Sequence, residues 1–512
     1  MRHNQRSSHT LNRMDTSISG TLSISDRRPM MKGKRLIRLL KWSGALAILA
    51  AVGFLTRGEI GMSGNEASRF AVVQAVGEQG VFFIEKTNFR TVDKVIRNGH
   101  IYSDKPPALA WAVGMLWRIP HRLLGFSFEE DYRWSVWLVN FCLGASVSLA
   151  LYFWLFDALR RETRGPIFLK WLLALAAPLN GWLLAYSVVL NNHTPAALAA
   201  FGVAVALMKF RRRPTAAAAL LAGAAAGLTV AMELPPGAFF GAAAVLGIWF
   251  SAPRGLRLCR AAQCLAAGLL CVAGLLLLNF HACGTWLPLY LAGGTATYSI
   301  PTPAGRDFGG YCLDTLLWTR GLLSYQPFLL TAFPWLWYAR RRLRTAEYAV
   351  LAASAATVVF YLVGTNEYGG AAYGFRYLIT VIPILWFFAA RAVLAAWCGA
   401  RRIRRFAAAA AAALLIVWGV VTGVVGAYAP FCVAFEGYRS PPGHFTRAIQ
   451  STFCGNLLCI AYDHAPYGAV TRAMIRHYGV ENSYRFLHHS FFSLKRLDLL
   501  QRINDDLGAR MR

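Results

Sequence analysis

Apolar residues fall in blocks of about 20, separated by short polar or basic connectors, and each block is long enough for a helix to cross a hydrocarbon core of about 30 Å. Candidate spans centre near 37–56, 107–124, 134–157, 166–189, 193–210, 214–232, 235–252, 261–280, 322–340, 346–364, 376–397 and 406–429. The pattern predicts an all-α polytopic membrane protein. Pro178 and Asn180 interrupt the fourth block, which therefore reads as two half-helices, and 107–124 is the weakest block. Either feature could absorb the one crossing by which counts from the two ends disagree, and an odd total of 11 or 13 satisfies both ends.

The connectors set the expected orientation. Arg211 to Arg213, Arg254 to Arg260, Arg340 to Arg344 and Arg401 to Arg405 are cytoplasmic by the positive-inside bias. That places 57–106, 281–321, 365–376 and the segment 431–512 outside, the last as a small exterior C-terminal piece. Residues 1–35 carry Ser, Arg and His without an apolar period and read as a disordered basic cytoplasmic tail. The first span follows Lys32, Lys34, Arg35 and Arg38, and reads as an uncleaved anchor.

Composition agrees with this reading. The 512 residues hold 53 Lys or Arg and 24 Asp or Glu, so only 15% are charged, against 56% apolar. A net charge of +29 would suggest nucleic acid in a soluble chain. Here the cations cluster between apolar blocks and set topology, so no nucleic-acid partner is expected. Ten cysteines are too scattered for a disulfide framework, although Cys454 and Cys459, in an exterior segment, would be free to pair.

The exterior loops carry the candidate chemistry. In 57–106, Glu66 to Glu78 places Phe70, Val73, Val76 and Gly77 on one side, which predicts an interfacial helix lying on the membrane surface. Val81 to Ile84 is strand-like and Asn98-Gly99 marks a turn. The loop re-enters the membrane through Tyr102-Ser103-Asp104-Lys105-Pro106-Pro107-Ala108-Leu109. Proline is tolerated in a first helical turn, and a lysine beside that helix start makes a site for an anion such as phosphate at headgroup depth. Snorkelling of Lys105, helix capping by Asp104 and a capping box from Ser63 to Glu66 are the plain structural alternatives.

Taken whole, Gly64-Asn65-Glu66-Ala67-Ser68-Arg69-Phe70 followed by Asp104-Lys105-Pro106-Pro107-Ala108-Leu109 resembles the first periplasmic loop of GT-C glycosyltransferases that use polyprenyl-phosphate sugars. The similar branch is that of protein O-mannosyltransferases and the lipid A aminoarabinose transferase. The resemblance implies a GT-C-like bundle over roughly 36–430, with an exterior juxtamembrane helix and an exterior catalytic loop. It further implies a hexosyl- or pentosyltransferase of the plasma (inner) membrane that moves a sugar, with inversion, to a protein, glycan or lipid acceptor. The family's acidic pair falls on Asn65 and Glu66 and its motif lysine on Lys105, with Asp104 just before it. Asn65 stands where the family usually has its catalytic Asp, so the base is Glu66 or Asp104, or the activity is altered.

Between those two, Glu66 is preferred, because the adjacent Lys105 should lower the pKa of Asp104 and make it a poorer base. Lys105 and Arg376 are the candidate phosphate ligands. Asn65, Arg69, Tyr102, Glu367, Tyr368 and Tyr373 are candidate substrate contacts, the last two for stacking on a sugar. Asn191-Asn192-His193 and Glu233 are weaker candidates. A divalent metal is compatible with these acids, although no ligand spacing marks one. The competing classes are a transporter or flippase for a lipid-linked or anionic substrate, which would need polar helices at the midplane, and a catalytically silent scaffold.

Overall fold

The computed structural model describes residues 24–61, 63–289, 308–318, 320–365, 369, 372–399, 401–431, 452–493 and 496–508. Of the expected disordered tail 1–35, residues 1–23 lie outside them, as do Glu367 and Tyr368, while 24–35 are helical and begin the first helix. Among the described residues, eight helices are long and apolar enough to cross a membrane. They are α1 (Ile24–Leu55, apolar from Arg35), α4 (Tyr132–Glu162), α7 (His193–Arg212), α9 (Leu234–Ser251), α10 (Arg257–Cys283), α14 (Thr345–Gly364), α15 (Ile382–Gly399, extended by a 3-10 turn from Arg376) and α16 (Arg402–Tyr428).

Three further legs are short or broken. One is α5 (Ile167–Ala176) with α6 (Gly181–Tyr186), split at the Pro178 and Asn180 interruption. The second is α8 (Ala216–Met232), and the third, after the short helix α11 (Phe308–Leu316), is α12 (Leu322–Tyr325) running through a 3-10 turn into α13 (Ala332–Ala339). With these three short or broken legs, the described residues hold eleven apolar legs, eight of them long enough by themselves to cross a membrane.

Ion pairs and hydrogen bonds identify the two ends of the bundle. At one end Glu162 gathers Arg211, Arg212 and Arg344, and Lys41 pairs with Asp157 at 3.2 Å. At the other, Arg69 reaches Asn192, His193 pairs with Glu233, and Thr380 bonds Glu233. Close packing sets the spacing between legs. A Cβ at Gly144 of α4 would lie 1.6 Å from the carbonyl oxygen of Ser187, so only glycine lets that turn approach.

The helix of the weak 107–124 block, α3 (Pro107–Leu124), is not a leg. It packs along α2 (Gly64–Gln74) and its π-helical extension Ala75–Gln79, with Trp117 Nε1 donating to Glu78 and Arg118 to the Val76 carbonyl. This removes the extra crossing and returns every Arg cluster to one end.

Two expectations about the first loop are corrected. The stretch from Glu66 to Gly77 does not lie on a surface with its polar face in solvent: every residue in it is buried. Of its polar side chains, Arg69 is held by Asn65 and Asn192, and Gln74 accepts the Asn88 N–H. The exposed apolar stripe belongs instead to α3, through Trp111, Met115, Leu116, Ile119 and Leu123. Val81 to Ile84 is not a strand either, since it makes one bond to the hairpin, Ile84 N–H to the Ile101 carbonyl. The strands are β1 (Lys94–Arg97) and β2 (His100–Ser103), antiparallel, with Lys94 opposite Ser103 and Arg97 opposite His100. Asn98 and Gly99 both have positive φ, 50° and 79°, as a two-residue hairpin turn with right-handed strand twist requires.

After α16, the helices α17 (Thr452–His464), α18 (Tyr467–Ser493) and α19 (Leu497–Ile503) close a small apolar core of Cys459, Leu487, Phe491 and Ile503. Asn456 ties it to α16 through the Val425 and Ala429 carbonyls. The open possibility of a Cys454 to Cys459 disulfide is not realised: both residues lie on α17. Five residues of α-helix rotate the two side chains well away from one face.

Candidate active site

The site is built by the β-hairpin, the N-terminal half of α2, the turn between α6 and α7, and the entrance to α15. Because Lys94 pairs with Ser103, the next residues outward, Asp93 and Asp104, come side by side at the open end of the hairpin. Lys105 bridges them, its Nζ lying 3.0 Å from Asp93 Oδ2 and 3.0 Å from Asp104 Oδ2. Asp104 Oδ1 is buried and has no hydrogen-bond partner. Burial outweighs Lys105, so the Asp104 carboxyl sits above its ordinary pKa, with Asp93 pushing it the same way. The expectation that the neighbouring lysine would hold Asp104 low is overturned: desolvation is the larger effect, and Lys105 is shared between two acids.

On α2, Arg69 is buried, and its guanidinium donates to the Asn65 side-chain and backbone oxygens and to Asn192 Oδ1, the last at 2.6 Å. Burial and the proximity of Arg376 lower its pKa to about 10, so it stays charged at neutral pH. Arg376 is also buried; its guanidinium carbon lies 5.6 Å from the Phe431 ring centre and 5.8 Å from that of Tyr377, and its Nε lacks a hydrogen-bond partner. Among the described residues, neither guanidinium touches a carboxylate. The nearby acids are committed elsewhere: Asp93 and Asp104 to Lys105, and Glu233 to His193 and Thr380. Arg69 is offset only through space, by Asp104, Asp93 and Glu233, so an anion bound against both guanidiniums would meet two buried charges held by amides and ring faces.

Glu66 lies on the same helix, fully buried, with Oε2 accepting the Gly61 N–H at 3.0 Å and Oε1 unpartnered. Ser63 makes no side-chain cap, so the capping box is not formed. Burial lifts the Glu66 pKa to about 7, against smaller opposing effects of Gly61, Asn140, Leu190 and Arg69. Tyr102 lies at the edge of this group and lines a cleft with Phe82, Lys105, Pro107 and Asn279, so Lys105 belongs both to the ion cluster and to the cleft wall. Tyr373 is not in the group: it is 0% exposed, its hydroxyl donates to the Thr422 carbonyl, and its ring packs edge-on to Tyr325. Among the described residues, no set of three or more His, Cys, Asp or Glu is arranged to hold a metal ion.

Comparison with known proteins gives one kind of match. No family model matches the sequence, and no curated protein does. Among solved structures, ArnT from Cupriavidus metallidurans in the apo state matches at 16% identity with a TM-score of 0.52, over 92% of this chain and 77% of that one. The chain has the GT-C fold. Two other GT-C structures score lower. The same ArnT bound to undecaprenyl phosphate gives 16% identity and a TM-score of 0.49, over 92% of this chain and 73% of that one. Arabinosyltransferase EmbB from Mycobacterium smegmatis gives 14% and 0.44, over 76% and 32%.

Within this GT-C fold, five residues singled out in the sequence converge: Asn65, Glu66, Arg69, Asp104 and Lys105, with Arg376 arriving from a segment about 270 residues later. Asp93 was not singled out, and the signal for it was present. A two-residue turn at Asn98-Gly99 fixes the register, and that register puts Asp93 beside Asp104. Asn192 was ranked low for want of any local pattern, since only the fold brings it to Arg69.

Proposed function

We propose that the chain is a membrane glycosyltransferase that moves a sugar from a polyprenyl-phosphate donor to an acceptor at the exterior face of the plasma (inner) membrane. The observation that carries this reading is the pair of buried guanidiniums, Arg69 and Arg376, without a carboxylate contact, with Asp104 near enough to Arg69 to act on it electrostatically. A donor phosphate bridging Arg69 and Arg376 would meet both charges, and Lys105 at the cleft wall would guide the lipid-linked headgroup in. ArnT, whose apo structure shares the fold of this chain, has also been solved bound to undecaprenyl phosphate, a carrier of the proposed class. The Arg clusters gather at the end of the bundle opposite the site, and the positive-inside bias supports an exterior site.

The donor brings its own leaving group, so no general acid is required. The acceptor nucleophile attacks the anomeric carbon directly, the carbon–oxygen bond to phosphate breaks with inversion, and polyprenyl phosphate departs on Arg69 and Arg376. Asp104 takes the acceptor's proton. Asp104 and Glu66 both have a raised pKa and one bare oxygen; Asp104 is favoured because it pairs with Lys105 at the cleft wall, whereas Glu66 is fully enclosed and bonded to Gly61. Asp104, Glu66, Arg69, Arg376 and Lys105 thus have proposed roles in transfer or in holding the site, and Asn65 and Asn192 orient Arg69.

The test is to incubate the purified protein with a panel of labelled polyprenyl-phosphate sugars and candidate acceptors. A transferase releases polyprenyl phosphate and labels an acceptor. A transporter or flippase returns the donor intact, and that result would overturn the proposal.

A further inference from the structure

The bridge made by Lys105 is set by its backbone as well as by its ammonium. Ser68, fully buried on α2, donates its hydroxyl to the Asp93 carbonyl at 2.7 Å. Its oxygen lies 2.6 Å from the Ser103 hydroxyl, and the Lys105 N–H donates to Ser103 Oγ at 3.1 Å. Since the Ser68 proton is committed to Asp93, Ser103 must donate to Ser68. The direction of the whole chain is then fixed: Lys105 N–H to Ser103, Ser103 to Ser68, and Ser68 to the Asp93 carbonyl. Each hydroxyl is used once as donor and once as acceptor.

We infer that Ser68 and Ser103 are positioning residues, a two-hydroxyl clasp that pins the backbones of Asp93 and Lys105 to α2 and so holds the Lys105 ammonium between Asp93 and Asp104. The clasp deepens the proposed transferase reading and rests on it for its consequence, because it also sets where Asp104 stands relative to Arg69, three residues along α2 from Glu66 and adjacent to Ser68. A hairpin with a two-residue turn and four residues in each strand could otherwise swing as a unit on its open end. The clasp stops that motion at the rung where the chemistry is placed.

The experiment reads Lys105 directly. Ser68→Ala and Ser103→Ala break the chain at different links, so either variant carries the test if the other fails to fold. In the full-length protein in detergent, the rate of reductive methylation of Lys105 is measured by mass spectrometry against Lys86 and Lys94 of the same loop. Loss of one buried hydrogen bond should raise the Lys105 rate about tenfold with Lys86 and Lys94 unchanged. In the transfer assay both variants should raise KM for the donor, and neither should add to the defect of Lys105→Ala. An unchanged Lys105 rate, or an equal rise at all three lysines, would overturn the clasp. If the Lys105 rate rises alone while the parent transfers no sugar, the clasp stands and the transferase reading falls.

Discussion

Replacing Glu66 with glutamine isolates the cost of burying a carboxyl in α2. The group is fully buried, keeps one bond to the Gly61 N–H, and leaves its other oxygen unpartnered. Burial raises its pKa from 4.5 to about 7. The unfolded chain ionises this carboxyl near 4.5, so between pH 4.5 and 7 the folded state holds a proton that the unfolded state has lost. Stability contributed by this group therefore falls as pH rises through that window and levels off above pH 7, where both states are ionised. At about 1.4 kcal/mol per pH unit, the full loss is about 3 kcal/mol as an upper bound. Glutamine keeps the Gly61 bond and never ionises. Glu66→Gln should thus match the parent at pH 5 and be more stable at pH 8, by up to about 3 kcal/mol. Unfolding midpoints in detergent, followed by tryptophan fluorescence from pH 5 to 8, give the difference. If the variant is no more stable at pH 8 than at pH 5 relative to the parent, the ionised Glu66 has a compensating partner and the burial argument is wrong.

The remaining predictions concern the cluster. Asp104→Asn should lower transfer by at least about 100-fold with donor affinity nearly unchanged, read by single-turnover kinetics against equilibrium binding; Glu66→Gln retaining less activity than Asp104→Asn would exchange their roles. Asn65→Asp would give Arg69 a carboxylate partner and weaken its claim on phosphate, so KM for the donor should rise about fivefold or more, and an unchanged KM would separate Arg69 from the donor. Single cysteines at positions 92 and 480 should react with a membrane-impermeant thiol reagent applied outside intact cells, whereas those at 212, 342 and 403 should react only once the membrane is opened. Labelling of 212 from outside would invert the proposed orientation.

The bundle was legible in the sequence because apolar block length and Arg placement are local signals. The break at Pro178 and Asn180 gave the α5 and α6 pair for the same reason. The status of α3 was ambiguous since its mixed apolar and basic surface, with Arg118, His121 and Arg122, suits either a weak leg or a helix packed at one end, and only its contacts with α2 decide. The error about α2 has a different origin. Amphipathic spacing shows that a helix has two faces, but not whether water or protein covers the polar one. Asp104 was misjudged because sequence adjacency revealed Lys105 and hid both burial and Asp93. Arg69 was placed among substrate contacts, and its lack of a carboxylate depends on Asn192, which no spacing could connect to it.

The central claim is that Arg69 and Arg376 together hold the donor's phosphate. Equilibrium binding of a labelled polyprenyl phosphate to the purified protein tests it without needing the sugar or the acceptor. The parent should bind saturably, Arg69→Ala and Arg376→Ala should each weaken binding about tenfold or more, and Lys105→Ala, whose ammonium is already shared by two acids, should weaken it less. Parent-like binding by both arginine variants would contradict the account.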